Sequence, residues 1–267
     1  MARIIEYVID KPKAIVLTVH GLGEHFGRYK HVGEWLNSQG IIMVGGDLPG
    51  FGTSKLPLGH INSFDDYLNQ VDEWLEYARD KWQGVPIFLY GHSLGGLIVL
   101  RYLEKRNVEG VLSGVAVTSP SLSVKLEVPG WQQWLAGILQ KIAPMVKLDS
   151  GIKPEHVSRH PDIIKEYGVD PLNYGKVSAG LFYEFQTAMR KAWDDVEAIN
   201  QAGLPVLFLQ AGEDQLVNPD KADEFVKLVN RELITYLNIP SLYHEVFNEP
   251  EREIYLKLFS DWILERV

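Results

Sequence analysis

Ile87-Phe88-Leu89-Tyr90 is a short apolar run, and it leads directly into Gly91-His92-Ser93-Leu94-Gly95-Gly96. Beyond these residues Leu97, Leu100 and Leu103 recur on one helical face, with Ile98 beside them. The middle stretch is a Gly-x-Ser-x-Gly pattern, common by itself but informative when a strand precedes it and a helix follows. A serine on so sharp a strand-to-helix turn must adopt a strained backbone that exposes its hydroxyl. Side chains two residues to either side would clash, hence Gly91 and Gly95. The helix start also aims backbone N–H groups at the same point, where they favour a developing oxyanion. The plainer reading is a glycine-rich turn with an idle serine, and the flanking strand and helix weigh against it.

Outward from this turn, short β-branched runs alternate with longer helical patterns. Strands are expected at Ile4–Ile9, Ala14–His20, Ile41–Gly45, Ile87–Tyr90, Gly114–Thr118, Val206–Gln210 and Ile234–Asn238. Several are continuous apolar runs, as in parallel strands covered on both faces. Helices are expected at Phe64–Trp82, Leu94–Lys105, Ala222–Asn230 and Glu251–Arg266. This alternation predicts an α/β fold built on a doubly wound, mostly parallel sheet.

The alternation breaks between Ser119 and Gly203, where no strand is evident. Trp131, Trp134, Leu135, Ile138 and Ile142 form a helical stripe there, and Pro129, Pro144, Pro154, Pro161 and Pro171 divide the stretch into short helices. The expected organisation is a core of residues 1–118 and 204–267, with residues 119–203 as a helical cap inserted before the strand Val206–Gln210.

The chain has 267 residues with 35 acidic and 26 basic side chains, a formal charge of −9 that argues against nucleic acid as a partner. It has no cysteine, which excludes disulfides, thiol nucleophiles and Cys-ligated zinc. Met1–Lys13 lacks the apolar stretch of a signal peptide, and no apolar run approaches the roughly 18 residues that span a bilayer, so a cytoplasmic location is expected.

A serine is a poor nucleophile without a base, and the base needs a third group to orient it. On a turn of this kind the acid and then the histidine follow later in the chain. Asp214 lies in the loop after the apolar run Val206–Gln210, with Glu213 as its competitor. Of eight histidines only His244 comes after Asp214, in the loop following Ile234–Asn238. Two N–H donors are needed for the oxyanion: Leu94, next to the serine, and Leu22, in the glycine-rich His20-Gly21-Leu22-Gly23-Glu24-His25. His20 and His25 read as structural hydrogen-bonders.

Four segments, His20-Gly-Leu-Gly-Glu-His-Phe-Gly-Arg-Tyr29, Gly91-His-Ser-Leu-Gly-Gly96, Gly212-Glu-Asp-Gln-Leu-Val217 and Tyr243-His-Glu-Val-Phe-Asn-Glu-Pro250, together resemble the monoglyceride lipase and lysophospholipase group of the α/β-hydrolase superfamily. The first is the most specific to that branch, and the resemblance is weakest over 119–203. It implies the α/β-hydrolase fold, with Ser93 as nucleophile, Asp214 as orienting acid, His244 as base, and the amides of Leu22 and Leu94 as oxyanion donors. It also implies that Asp47 fixes a loop beside the site and that Glu24 and Arg28 form a local ion pair. Such a sheet usually begins with a hairpin, but only about ten residues precede Lys11-Pro12, so seven strands are expected.

The implied activity is a serine hydrolase releasing a fatty acid from a single-chain lipid ester, a monoacylglycerol or a lysophospholipid, with no metal or other cofactor. The cap stripe would receive the acyl chain and could touch a membrane or micelle in passing, or could simply pack on the sheet domain. A proline-iminopeptidase-like serine aminopeptidase or a perhydrolase-type acyltransferase would use the same three residues. A peptidase needs carboxylates for the substrate ammonium, and the insertion offers Glu127, Asp149, Glu155 and Glu166. A scaffold without activity would usually have lost part of the set. Metal hydrolysis is disfavoured: Asn248 stands where a second histidine would follow His244-Glu245, and no nearby acid completes a convincing site with His156 and His160, which are expected at the surface.

Overall fold

In a computed structural model of the chain, which describes residues 3–125 and 137–267, the expected seven strands form one sheet. They are β1 (Ile4–Tyr7), β2 (Ala14–Val19), β3 (Ile41–Gly46), β4 (Ile87–His92), β5 (Gly114–Thr118), β8 (Val206–Ala211) and β9 (Ile234–Ile239), and their order is β1-β3-β2-β4-β5-β8-β9. Only β1 runs antiparallel, pairing with β3 at the edge. Strand β4 runs two residues further than its apolar run, because Gly91 and His92 pair with Val117 and Thr118 of β5. That extension carries Ser93 to the rim of the sheet.

Alternate strand residues feed two cores. Ile15, Leu17, Val19 and Leu89 face one side, under α2 (Asp65–Lys81) and α3 (Leu94–Lys105). Val16, Met43, Phe88 and Tyr90 face the other, under α1 (Lys30–Ser38) and α8 (Arg252–Leu264). Burial on both faces is why these strands read as unbroken apolar runs.

Between β5 and β8 the structure departs from the sequence reading in two ways. Lys147–Asp149 (β6) and Lys176–Ser178 (β7) pair as an antiparallel ribbon where no strand was expected. Three residues a side, with only Val177 and Ser178 buried, are too few to leave a periodic signal. After the nine-residue α4 (Pro161–Val169), moreover, α5 (Ala179–Asp194) is not short: it has 16 residues and no proline. Ser178 caps α5 by accepting from Leu181 N–H at 3.0 Å, and Leu181, Phe185, Ala188, Met189 and Ala192 join the core that holds Leu97 and Leu100. A six-residue α6 (Glu197–Ala202) leads into β8. Of the expected stripe, Trp131, Trp134 and Leu135 lie outside the described residues, Ile138 is half-buried, and Ile142 is exposed.

The helix expected at Ala222–Asn230 is instead α7 (Pro219–Phe225). Asn218 accepts from Asp220 N–H at 3.0 Å and Pro219 occupies the first turn, so residues that resemble a turn are a helix start.

Candidate active site

Ser93 sits between β4 and α3 with φ 54° and ψ −116°, a left-handed conformation costing a non-glycine residue roughly 1–3 kcal/mol. Its surroundings hold it there. Ser93 N–H donates to Thr118 O at 3.0 Å, and Ser93 O accepts from Leu97 and Ser121 N–H, each at 3.0 Å. A Cβ on Gly91 would stand 2.2 Å from Gly95 O, and one on Gly95 would stand 2.0 Å from Val19 O. The two glycines therefore answer a packing constraint between α3, β2 and the turn.

Asp214 follows β8 and is fully buried, whereas its competitor Glu213 is exposed. Asp214 Oδ1 accepts from Leu216 and Val217 N–H at 2.8 and 2.9 Å, and Oδ2 lies 2.7 Å from His244 Nδ1. Burial alone would raise this carboxyl. The charge and hydrogen bond of His244 and the two loop amides outweigh it, leaving Asp214 below the usual aspartate range. His244 is buried too, which opposes protonation, but Asp214, Glu245 and Glu24 raise it above an ordinary histidine.

Ser93, His244, Leu22 and Glu245 line one small cavity with His92, Glu24, Ile152, Val157, Tyr167 and Leu216. In this rotamer Ser93 Oγ lies 3.3 Å from Ser121 Oγ and makes no hydrogen bond to His244. The amides of Leu22 and Leu94 donate to no group among the described residues. His92 packs 4.7 Å from the His244 ring, centroid to centroid, and bonds through Nδ1 to Thr118 Oγ1 at 3.0 Å. Burial and the neighbouring His244 hold His92 down at about 4, so it stays neutral beside the imidazole.

The supporting residues behave as read. His20 Nε2 accepts from Leu48 N–H at 2.8 Å, and Asp47 binds Phe26 N–H at 2.9 Å and both N–H and Oγ1 of Thr53 at 2.7 Å. His25 Nε2 contacts Asp170 at 2.9 Å, tying the first glycine-rich loop to the 119–203 segment. His156 and His160 are half-buried rather than at the surface, and His160 Nδ1 accepts from Asp162 N–H to cap α4. Among the described residues no three histidine, aspartate or glutamate side chains converge as a metal-binding group. Ser121 was missed from sequence. It reaches Ser93 only because β4 and β5 are adjacent, and its own surroundings carry no motif.

A family model described as serine aminopeptidase, S33, matches residues 10–251. The chain belongs to this family. A phospholipase of Bacillus subtilis is 36% identical over 91% of this chain and 92% of its own. A monoacylglycerol lipase of Mycolicibacterium smegmatis is 27% identical over 96% of this chain and 90% of its own. The crystal structure of a monoacylglycerol lipase from Paleococcus ferrophilus superposes with a TM-score of 0.89 at 32% identity, covering all of both chains. The seven-stranded, mostly parallel sheet is that of the α/β-hydrolase fold. As a member of this hydrolase family, the protein is a serine hydrolase. Among the described residues no helix is long and apolar enough to cross a membrane.

Proposed function

We propose that this S33-family enzyme cleaves the fatty-acyl ester of a single-chain lipid, a monoacylglycerol or lysophospholipid, with Ser93 as nucleophile, His244 as base and Asp214 orienting the base. Residues 1–118 and 204–267 are the catalytic core, and residues 119–203 are the cap that covers it. The observation that carries the reading is the buried Asp214–His244 hydrogen bond, with His244 lining one cavity together with a serine in a strained backbone conformation. With Nδ1 committed to Asp214, His244 Nε2 is the nitrogen left to take the Ser93 proton once Oγ turns from Ser121. Ser93 attacks the ester carbonyl, the amides of Leu22 and Leu94 receive the oxyanion, and the alcohol leaves with the proton from His244. Water, deprotonated by the same imidazole, then releases the fatty acid.

The family is named for a serine aminopeptidase, whereas the similar phospholipase and monoacylglycerol lipase are named for lipids. The carboxylates in the cavity favour the lipid. A peptidase of this kind needs a free carboxylate for the substrate ammonium, yet each oxygen of Glu24 and Glu245 already has a donor. The cap acids do not substitute: Glu127 lies outside the described residues, and Asp149, Glu155 and Glu166 are absent from the lining.

Transient membrane or micelle contact belongs to the same proposal. Ile142, Met145 and Val146 are 74%, 46% and 42% exposed, and the exposed Leu58 is joined to this segment by Lys147 Nζ, which donates to Leu58 O.

The test is fatty-acid release from a monoacylglycerol and a lysophosphatidylcholine, run beside cleavage of an aminoacyl amide, with Ser93→Ala as control. Release from a lipid that vanishes in the variant supports the reading. Aminoacyl cleavage alone overturns it in favour of a peptidase.

A further inference from the structure

The Glu24–Arg28 pair is not only local. The Arg28 side chain is 9% exposed, and its Nη1 contacts Glu24 Oε2 at 2.5 Å and Glu245 Oε1 at 2.6 Å. Its Nη2 donates to Glu245 Oε2 at 2.7 Å, so Glu245 is held by both prongs of the guanidinium. Each glutamate is adjacent to a different half of the chemistry. Glu24 Oε1 accepts from Gly21 N–H at 2.6 Å and from Tyr29 Oη at 2.7 Å, bracing the backbone immediately before the Leu22 amide. Glu245 directly follows His244, and its own N–H donates to Val157 O at 2.8 Å. The guanidinium also lies 4.7 Å from the ring centroid of Tyr167, a cavity-lining residue on α4.

One planar cation thus touches the oxyanion loop, the loop of the base and the cap segment. Resting on the catalytic reading above, we infer that Arg28 is a positioning residue: by gripping Glu24 and Glu245 in one fork it fixes where the Leu22 amide stands relative to the His244 imidazole. Both groups must meet one substrate carbon at the same moment, and a displacement of about 1 Å can cost about 100-fold in rate. A lysine carries the same charge on a similar stem but cannot form the fork, so charge and geometry are separable by substitution.

The experiment measures p-nitrophenyl butyrate hydrolysis by the wild type, Arg28→Lys, Arg28→Met and Ser93→Ala. Active sites are counted by labelling to completion with a fluorophosphonate, and melting temperature is recorded for each. The expected result is that Arg28→Lys keeps its melting temperature within a few degrees and its KM within about threefold while kcat per labelled site falls about tenfold or more. Arg28→Met should fall further, and if it fails to fold, Arg28→Lys alone carries the test. A purely structural Arg28 would reduce the number of labelled sites and leave kcat per site unchanged within about twofold in Arg28→Lys, and that result overturns the inference. Turnover or labelling that persists in Ser93→Ala overturns the catalytic reading instead, so the two failures are distinct.

Discussion

Two buried arginines in this molecule are each flanked by two carboxylates, and one glutamate partner of each, Glu24 and Glu104, titrates in the opposite direction from the other. Arg28, beside the candidate active site, holds Glu24 and Glu245. Arg101, on α3, touches Glu104 one turn away and lies 2.9 Å from Asp195, just past α5. Burial would raise Glu24, but Arg28, the nearby histidines and the Tyr29 hydroxyl outweigh it and bring it to about 2. Burial likewise raises Glu104, and there it prevails, to about 8, against Arg101. The formal charges match; the directed donors do not. Glu24 has partners on both oxygens, whereas Glu104 Oε1 is buried without a hydrogen-bond partner. An ion pair in a protein interior is stabilised by how fully its lone pairs are met, and counting opposite charges misses this.

The contrast breaks most visibly in activity. Arg28→Met should lower kcat per active site by about 100-fold, whereas Arg101→Met should leave it within about threefold, because Arg101 touches none of the loops lining the cavity. Steady-state assays on titrated sites measure both, and equal losses would dissolve the distinction. In stability, Glu24→Gln leaves Arg28 and Gly21 N–H short of an anionic acceptor and should cost about 2–3 kcal/mol in urea unfolding, against less than about 1 kcal/mol for Glu104→Gln.

The pH dependence of stability sharpens the same point. Glu24 is depressed from 4.5 to about 2, so its contribution is complete above pH 4.5 and is lost as the pH falls toward 2. Glu104 is raised from 4.5 to about 8, so the folded state holds a proton that the unfolded chain has released, and stability declines as the pH rises from 4.5 to 8. Glu104→Gln should remove that decline, and urea midpoints at pH 5, 6.5 and 8 would read it. Parallel wild-type and variant curves would contradict the assignment. The smallest effect concerns His244, the proposed base. His244 lies above the ordinary 6.5, so kcat/KM should fall on acidification through a limb above pH 6.5. Glu245→Gln removes one of the negative charges that raise His244 and should move this limb to lower pH in a pH–rate profile.

The strands and the strand-to-helix turn at Ser93 were legible because their causes are local. Continuous apolar runs announce strands covered on both sides, and Gly91 and Gly95 announce a turn too tight for a Cβ. Asp214 and His244 were legible from chain order combined with their positions after predicted strands, and the structure brings the pair to 2.7 Å. The ribbon β6–β7 was not legible, since three-residue strands leave no period, and α7 was masked by Pro219-Asp220, which suits a helix start as well as a turn.

By itself the sequence determined the alternating α/β architecture, the position of the strained serine and the order of its partners, all set by sterics and hydrophobic period within a few residues. Only the tertiary structure decided which groups those partners meet. Arg28 and Glu24 are four residues apart and readable as a local pair, but the grip on Glu245 closes across 217 residues. Ser121 approaches Ser93 from the adjacent strand's end, across 28 residues, with no motif to mark it. Side-chain hydrogen bonds act over about 3 Å, so their partners exist only once the chain has folded and brought distant segments within that reach.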